Sequence, residues 1–497
     1  MSREPKRLGA LGTVIMVLVI LGIIAATGFV VWQCIDLANQ VPDNSQSADQ
    51  TVVLPAETAD STDPTNEMPT ETTVPPTTTE PPQPESVVAT ATIASQGDLL
   101  MHSPVFNSAR QGDGSYNFES VFRYSVDLVS SMDYAVANLE TTFGGPNHPH
   151  VNNQSFSCPD ALAQNAVDAG YDMFLTANNH SGDTTGEGLT RTLEVSRAAG
   201  LATLGSQLPG EKRYSIVEVN GIKIGMVAYT WAFKDNGGSF SLNGLNPIKD
   251  EGQMNFFTKA NPDKLYREVE PMMAEMKAEG AEATMIFIHW GEEYQTKENA
   301  AQQKMAQRLC DIGFDVIVGG HAHVVQPVSL LESTADPSHK TVCIYSLGNA
   351  VSNQRTGVSD LFPAGYTEDG AMLTVTFEKY SDGKVYLAGT DVIPTWVNMH
   401  SNKGTREYNI LPLVKDNEGQ WQASYELTDH QFESCRKSYD RTMGILGEGL
   451  EACQTYLDQA KIDREQYYYD LAFNPDKLAT EAAAVETVAE ETVLPAA

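Results

Sequence analysis

The stretch from Asp315 to Pro327, DVIVGGHAHVVQP, carries the strongest indication of both the fold and the site. Its first four residues are short and mostly β-branched, which predicts a buried strand. The strand ends at two glycines, and His321 and His323 follow directly. Two imidazoles two residues apart lie on the same face of an extended segment and can address one or two metal ions. The stretch therefore predicts a strand that leads into a metal-binding loop.

The same pattern, a short apolar strand that ends at a possible ligand, recurs along the chain. The other predicted strands are Thr90–Ala94, Tyr134–Ala137, Asp172–Ala177, Met285–Ile288 and Val342–Tyr345. The polar residues that follow them are, in the same order, Asp98; Asn138 and Glu140; Asn178, Asn179 and His180; His289; and Asn349. Helical segments such as Asp160–Ala169 alternate with these strands, which predicts an α/β fold. Because strands in such folds deliver their loops to one edge, we expect a metal cluster with nitrogen and oxygen ligands there.

Taken one at a time, several of these motifs have purely structural explanations. Gly97-Asp98 after a strand is a common turn. Asn179 and His180 could cap a helix that begins near Thr185, and a single buried histidine such as His289 is commonly a core residue. The joint occurrence of these residue types, each at a strand end, favours a site.

In this order, the motifs resemble those of the CapA family of capsule-synthesis proteins, a branch of the calcineurin-like metallophosphoesterase superfamily. The resemblance covers about Thr90 to Leu413 and lies in GDLLMH (97–102), NLE (138–140), ANNHSGDTTG (177–186), NGIKIGMVAYT (220–230), HWGEEY (289–294), GGHAHVVQP (319–327) and YSLGN (345–349). It implies a four-layer αββα sandwich over residues 87–413. It also implies one or two divalent metal ions, which would be Mn, Zn, Fe or Mg.

The resemblance also implies roles for individual residues. The implied metal ligands are Asp98 and His323 for one ion, Asn179, His289 and His321 for the second, and Glu140 between the two. His180 would be the general acid, with Asp183 as the carboxylate beside it. Residues expected at the substrate or behind the ligands are His102, Asn138, Asn178, Glu293 and Asn349.

One position departs from the superfamily pattern. The pattern begins Asp-x-His, whereas this chain has Leu100 two residues after Asp98. The first ion therefore has one ligand fewer, and a site with a single ion stays open. His102 could substitute only if the strand ends in a turn.

Two further segments have predicted structures. The segment from Phe233 to Lys259 is rich in Gly and Asn and is either a lid over the site or a plain surface loop. Residues 428–478 have apolar residues at helical spacing, and Gly444, Gly447 and Gly449 indicate a break. We therefore predict a C-terminal helical hairpin, which either packs on the main domain or docks a partner.

Cysteine usage does not indicate a disulfide framework or a zinc knuckle, since no C-x-x-C pair is present. Cys310 and Cys343 fall in apolar helix and strand patterns and are expected in the core. Cys435 and Cys453 could bridge two turns of the predicted hairpin, although spacing alone does not decide it.

The N-terminus reads as a membrane anchor. Residues 1–7 contain Arg3, Lys6 and Arg7 and form a short cytoplasmic tail, and residues 8–32 form an uncharged stretch long enough to span a bilayer. The alternative is a cleaved signal peptide, whose apolar region is typically shorter. Residues 33–86 are rich in Thr, Pro and Glu and are predicted to be a disordered linker, as are residues 479–497 as a tail. The expected location is the cell membrane, with a single pass and an extracytoplasmic folded domain.

The net charge of the chain limits the classes of molecule that it can bind. The chain has 32 basic and 65 acidic side chains, a formal net charge of -33, which argues against binding nucleic acid. The family resemblance favours a metal-dependent, phosphoesterase-like hydrolase that acts on an anionic envelope polymer or its phosphoester precursor. Its other expected partners are the membrane and other capsule-synthesis membrane proteins. Two alternatives stay open: a non-catalytic factor that binds a polymer such as polyglutamate during assembly or export, and a metal-dependent amidase acting on a γ-glutamyl polymer.

Overall fold

The computed structural model describes residues 83–479, apart from 149, 151–154, 235–237, 245, 363–364 and 403. The predicted cytoplasmic tail and membrane anchor lie outside the described residues, as do almost all of the predicted linker and C-terminal tail. None of the helices in the described part of the chain combines the length and the apolar character that crossing a membrane requires.

The described chain contains alternating strands and helices, as predicted. The strands are β1 (Val87–Leu99), β2 (Tyr134–Asn138), β3 (Met173–Leu175), β4 (Ala202–Leu204), β5 (Ser215–Val219), β6 (Ile222–Lys234), β7 (Phe240–Ser241), β8 (Phe256–Thr258), β9 (Ala283–His289), β10 (Val316–Gly320), β11 (Val325–Glu332), β12 (Lys340–Leu347), β13 (Asn349–Val351), β14 (Asp369–Tyr380), β15 (Val385–Asn402) and β16 (Thr405–Pro412). The α-helices are α1 (Ser103–Ser108), α2 (Glu119–Phe122), α3 (Val126–Val129), α4 (Ala161–Asp168), α5 (Thr185–Ala199), α6 (Asp263–Ala278), α7 (Ala300–Ile312), α8 (Trp421–Ser424) and α9 (Asp429–Phe473). All six strands predicted to end at a ligand are present, as β1, β2, β3, β9, β10 and β12.

These strands form two sheets. The first has the order β16-β15-β14-β1-β2-β3-β4, with β13 paired to β1. The second has the order β11-β12-β10-β9-β6-β5, with β7 and β8 paired to β6. β1 is parallel to β2 and β9 is parallel to β6 and β10, so their carboxyl ends reach the same edge of each sheet. The six ligand-bearing strands are therefore divided equally between two sheets.

Alternating residues place the core between the sheets and the helices outside them. On β1, Ile93 belongs to the central cluster that joins the two sheets, and its neighbour Ala94 belongs to the cluster under α1, α2 and α4. On β9, Phe287 faces the central cluster and Ile288 packs with α6 and α7. This period of two is the expected pattern for strands with two buried faces. The described residues thus have the helix–sheet–sheet–helix layering that the motifs implied.

The predicted C-terminal hairpin is wrong. Residues Asp429–Phe473 form one continuous helix, α9, which begins at a capping box between Thr428 and Gln431. The glycines taken as a break lie inside it. A Cβ on Gly449 would lie 1.8 Å from the carbonyl oxygen of Val328 in β11, so this glycine permits close packing of the helix on the second sheet.

The continuous helix α9 also decides whether its two cysteines can form a disulfide. Cys435 and Cys453 are buried free thiols on the same continuous helix, separated by about 27 Å at 1.5 Å per residue, so the suggested bridge between hairpin turns is also wrong. Cys310 and Cys343 are fully buried in the core, as predicted.

Candidate metal centre

The predicted ligands converge where the carboxyl ends of the two sheets meet. Asp98 lies near the end of β1, and Glu140 follows β2 in the first sheet. His289 ends β9, and His321 follows β10 in the second sheet. One sheet edge alone does not build the site, because each sheet contributes part of it.

The first group of possible ligands is Asp98, Glu140 and His323, with one ligand atom from each residue and all three atoms within 4.8 Å of one another. His323 Nδ1 lies 3.1 Å from Asp98 Oδ2, and His323 Nε2 lies 3.8 Å from Glu140 Oε1. All three side chains are buried. Burial works against the charge of His323, but the hydrogen bond and charge of Asp98 raise the pKa of this imidazole.

The second group is Glu140, His289 and His321, again with ligand atoms within 4.8 Å of one another. His289 Nε2 lies 3.5 Å from Glu140 Oε1 and 3.2 Å from His321 Nδ1. Asn179 Oδ1 lies 2.8 Å from the same His289 nitrogen. Burial lowers the pKa of His289 to about 3 and holds the pKa of His321 well below its ordinary value. Both imidazoles are therefore neutral at pH 7, which metal ligation requires.

Glu140 belongs to both groups and decides whether a cation fits. Its side chain is fully buried, and neither carboxylate oxygen has a hydrogen-bond donor among the described residues. Burial and the charge of Asp98 raise the pKa of this carboxyl well above its usual range. A buried carboxylate without donors costs several kcal/mol unless a cation compensates it. Carboxylate and imidazole ligands suit Zn, Mn or Fe, so these residues fit one or two such ions.

The loop that carries His321 and His323 is bent, which corrects the expected extended geometry. The backbone φ angles are 93° at His321 and 54° at His323, in the left-handed region that non-glycine residues rarely adopt. The two ring centroids are 6.1 Å apart. The bend lets one imidazole join each ligand group. Strain of this kind is typical of functional sites.

Side-chain amides hold the ligands from behind. Asn349 Oδ1 lies 3.1 Å from His323 Nδ1, and its Nδ2 donates to the carbonyl oxygen of Thr367. Asn138 Nδ2 donates to Asp98 Oδ1 over 2.7 Å, and Asn178 Nδ2 donates to Asn138 Oδ1 over 3.1 Å. Asn138, Asn178 and Asn349 are thus placed behind the ligands, where such contacts orient them.

His180 and Asp183 form a buried pair beside the ligands. His180 Nδ1 lies 2.8 Å from Asp183 Oδ2, which also accepts a hydrogen bond from the backbone N–H of Phe156. The ring of Phe156 packs edge-on against the imidazole at 4.5 Å. Asn243 Nδ2 lies 3.2 Å from His180 Nδ1, so the segment between Phe233 and Lys259 reaches the site and is more than a remote surface loop.

His102 and Glu293 lie at the margin of the site. His102 is outside both ligand groups, and its Nδ1 lies 3.3 Å from the carbonyl oxygen of Leu100 and from the N–H of Asn353. Burial, with the charge of His323, lowers its pKa to about 4. The structure therefore does not use His102 in place of the ligand missing at Leu100. Glu293 is exposed, and its charge contributes to the raised pKa values of Tyr294 and His323.

The sequence comparisons agree with this geometry. A family model described as "Bacterial capsule synthesis protein PGA_cap" matches residues 92–354. The chain belongs to this family. The matched residues include every predicted ligand and end before β14, so α9 lies outside them. The family recognised from the motifs is thereby confirmed.

Two relatives of this chain are from Bacillus. The chain is 25% identical over 325 residues to "Capsule biosynthesis protein CapA" of Bacillus anthracis, covering 63% of this chain and 69% of the relative. It is 26% identical over 339 residues to "PGA biosynthesis protein CapA" of Bacillus subtilis (strain 168), covering 65% and 78%. Among solved structures, purple acid phosphatase PPD1 from yellow lupin (Lupinus luteus) seeds is similar at 11% identity over 63% of this chain and 54% of that one. The TM-score is 0.31, which is too low to assign a fold.

The sequence analysis did not identify three residues that lie beside the two ligand groups. The ring of Trp231, on β6, lies 5.3 Å from the ring of His321. Lys259, directly after β8, places its Nζ 4.2 Å from the centroid of the Trp231 ring. The ring of Tyr294 lies 6.1 Å from the ring of His323. Trp231 lies inside β6, three residues before its end, and the residue types of Trp231 and Lys259 do not suggest metal ligands, so neither was a candidate.

Proposed function

We propose that this chain is a hydrolase that depends on one or two divalent metal ions and cleaves a phosphoester bond in an anionic envelope polymer or its precursor. The observation that supports it most is Glu140, a buried carboxylate without donors that is shared by two groups of ligands. The His180–Asp183 pair beside these ligands adds a group able to transfer a proton. A carboxylate between two imidazole-bearing groups, next to a histidine, suits metal-assisted hydrolysis.

The side chains of the two ligand groups would hold the metal ions. Asp98, Glu140 and His323 would hold one ion, and Asn179, His289 and His321 would complete the second position with Glu140. A bound divalent ion supplies Lewis acidity at a phosphoryl oxygen and lowers the pKa of water.

His180 would supply the proton that the leaving group needs. In the imidazolium form both ring nitrogens of His180 carry a proton: Nδ1–H would donate to Asp183 Oδ2 and hold the ring in place, and Nε2–H would donate its proton to the leaving oxygen. Phe156 packs against the imidazole and limits its rotation.

The polymer and the location are also proposals. Both relatives are named for biosynthesis, one of a capsule and one of PGA, and the N-terminal sequence reads as a membrane anchor. We place the folded domain outside the cytoplasm, attached through residues 8–32. Its partners would be the membrane, an anionic envelope polymer and other capsule-synthesis membrane proteins.

The test uses the purified full-length chain loaded separately with Mn, Zn, Fe or Mg and supplied with 4-nitrophenyl phosphomonoesters and phosphodiesters. We expect His180→Ala to lose turnover while it keeps its metal, and His321→Ala to lose metal. His430→Ala, on the exposed surface of α9, is the matched control and should match the wild type. No phosphoester cleavage with any of the four metals would contradict the proposal.

A second candidate is a polymer-binding factor for assembly or export, which the biosynthetic names of the relatives favour. In this role the ligand groups would hold a cation that binds polymer anions. Restoration of capsule in a deletion strain by the His180→Ala variant would favour this role over hydrolysis. Release of glutamate from a γ-glutamyl polymer, with no phosphoester cleavage, would instead indicate the amidase that uses the same residues.

A further inference from the structure

Three adjacent strands of the second sheet end beside the second ligand group. β8 pairs in parallel with β6, and β6 pairs in parallel with β9, so their carboxyl ends lie side by side. The residues at these ends are Lys259 after β8, Trp231 in β6 and His289 in β9. Lys259 therefore reaches the catalytic edge by the same topology that places the histidine ligand there.

The position of the Lys259 ammonium group is fixed by three contacts. Nζ lies 4.2 Å from the centroid of the Trp231 ring, and it donates to the carbonyl oxygen of Gly291 over 3.0 Å and to Glu292 Oε1 over 3.1 Å. A cation over an indole face is attracted by the ring, and this contact holds the flexible side chain in place. The two hydrogen bonds use two of the three N–H donors of an ammonium group.

The carboxylate paired with Lys259 is weakly held. The side chain of Glu292 is 62% exposed, whereas that of Lys259 is 34% exposed. Ion pairs with an exposed partner are screened by water and contribute little to stability. A ligand anion at the site could therefore replace Glu292 at the ammonium group at low cost.

Trp231 connects this ammonium group to the ligands. The indole is 5% exposed, its ring lies 5.3 Å from the ring of His321, and its Nε1 has no hydrogen-bond acceptor within the described part of the chain. Next to the second ligand group there is thus a buried indole with a cation over its face. In a chain with a net charge of -33, a fixed cation at this place is a specific feature.

We propose that Lys259 and Trp231 form a subsite that binds a second anionic group of the substrate, a carboxylate or a phosphate next to the bond that is cleaved. This deepens the proposed function, on which it rests, because it assigns the site to polyanionic substrates whose neighbouring units also carry negative charge. Lys259 supplies the charge, and Trp231 fixes its position beside His321.

The chain offers a matched control at the far end of α6. Lys212 also pairs with a glutamate, Glu279, at 2.5 Å, and its Nζ lies 5.2 Å from the centroid of an aromatic ring, that of Tyr214. Its partner Glu279 follows the carboxyl end of α6, a helix of 16 residues and about 24 Å whose other end begins at Asp263, four residues after Lys259. Lys259→Gln and Lys212→Gln therefore remove the same charge from similar contacts, but only the first is at the site.

The experiment measures the binding of inorganic phosphate and of glutarate to the metal-loaded full-length chain by calorimetry, at low and high salt. We expect Lys259→Gln to weaken binding of at least one of these anions about tenfold at low salt, with a smaller ratio at high salt, because a charge-assisted contact is lost and salt screens it. Lys259→Arg should retain most of the affinity, and Lys212→Gln should match the wild type. The anion with the larger loss identifies the preferred group, phosphate or carboxylate.

Equal affinity of the wild type and Lys259→Gln for both anions would overturn the subsite, as would an equal loss in Lys212→Gln. The same variants are assayed for phosphoester turnover, where a raised KM with an unchanged kcat is expected. If the wild type cleaves no phosphoester but Lys259→Gln still loses anion affinity, the proposed hydrolysis fails while the anion subsite stands.

Discussion

The two ligand groups of the metal centre are held in different ways. In the first group, His323 contacts both Asp98 and Asn349, and Asp98 also accepts from Asn138. In the second, His321 and His289 lie against each other as two neutral imidazoles, and Asn179 contacts His289. The first group is an ion pair held by amides, whereas the second has no charge of its own apart from the shared Glu140.

Because of this difference, we expect the geometry of the two ligand groups to depend on a bound cation to different extents. An imidazolium–carboxylate pair with amide donors is stable without metal, since each charge has a partner. Two neutral imidazoles gain their main compensation from a cation. We expect the first group to be prepared in advance and the second to be completed by the ion, and four predictions test this, from the largest effect to the smallest.

Glu140→Gln should have the largest effect, because it removes the ligand common to both groups. We expect metal content to fall at both positions and phosphoester turnover to fall at least about 10³-fold. In chelator, however, the variant should be as stable as the wild type or up to about 2 kcal/mol more stable, because burial already disfavours the charged carboxyl and the neutral amide breaks no hydrogen bond to it. Elemental analysis and urea unfolding measure the two effects. Glu433→Gln on the surface of α9 is the control, and a large loss of metal-free stability in Glu140→Gln would contradict the account.

His323→Ala and His321→Ala should differ in the absence of metal. Removing His323 leaves Asp98 buried without its cation and should cost about 3–5 kcal/mol of unfolding free energy. Removing His321 leaves a neutral neighbour and should cost about 1–2 kcal/mol, mainly through lost packing. Urea unfolding in chelator checks this order. Equal losses would show that the two groups are held alike.

Asn349→Ala should weaken the first group without abolishing it. The amide orients His323, and loss of such an orienting contact typically lowers metal affinity about 10- to 100-fold. Titration with a buffered metal series should show this loss at one position, with the second position little changed. Asn402→Ala, whose amide contacts Glu407 away from the site, is the matched control. Unchanged affinity at both positions would show that the amide has no part in holding His323.

His102→Gln tests, through the pH dependence of stability and through metal content, whether His102 lies outside the first ligand group. The folded pKa of His102 is about 4, below its ordinary value of 6.5, so folding favours the neutral imidazole. Its contribution to stability is complete above pH 6.5 and is lost as the pH falls through 4. In chelator, the wild type should therefore lose about 2–3 kcal/mol more than His102→Gln between pH 7 and pH 4. The wild type and the variant should bind equal amounts of metal. Lower metal content in the variant would show that His102 is a metal ligand.

Much of the site was predictable because strand ends are visible in sequence. Apolar runs that stop at Asp98, His289 or Asn349 place these residues at sheet edges whatever the details of packing. The bend at His321 and His323 was not predictable, because left-handed backbone in a histidine is set by the surrounding contacts and not by its own preference.

The errors have the same origin in long-range packing. Glycines inside a helical pattern commonly mark a break, but Gly449 is a contact point with Val328, a residue more than a hundred positions earlier in the chain. Lys259 was counted as the end of a loop because the pairing of β8 with β6 that brings it to Trp231 has no signature in the local sequence. Residues that act through distant partners are those that single-sequence patterns miss.

The place of β1 in the first sheet has a consequence for how the chain matures. Its neighbour on one side, β2, begins at Tyr134, but its neighbour on the other side, β14, begins only at Asp369. During synthesis from the amino end, one flank of this strand has no antiparallel partner until most of the domain has been made, and exposed strand flanks of this kind invite pairing with other chains. If the chain crosses a membrane while still unfolded, the strand that bears Asp98 emerges early and its last partner emerges late. The interval between these events is the period in which newly made copies most need protection from aggregation.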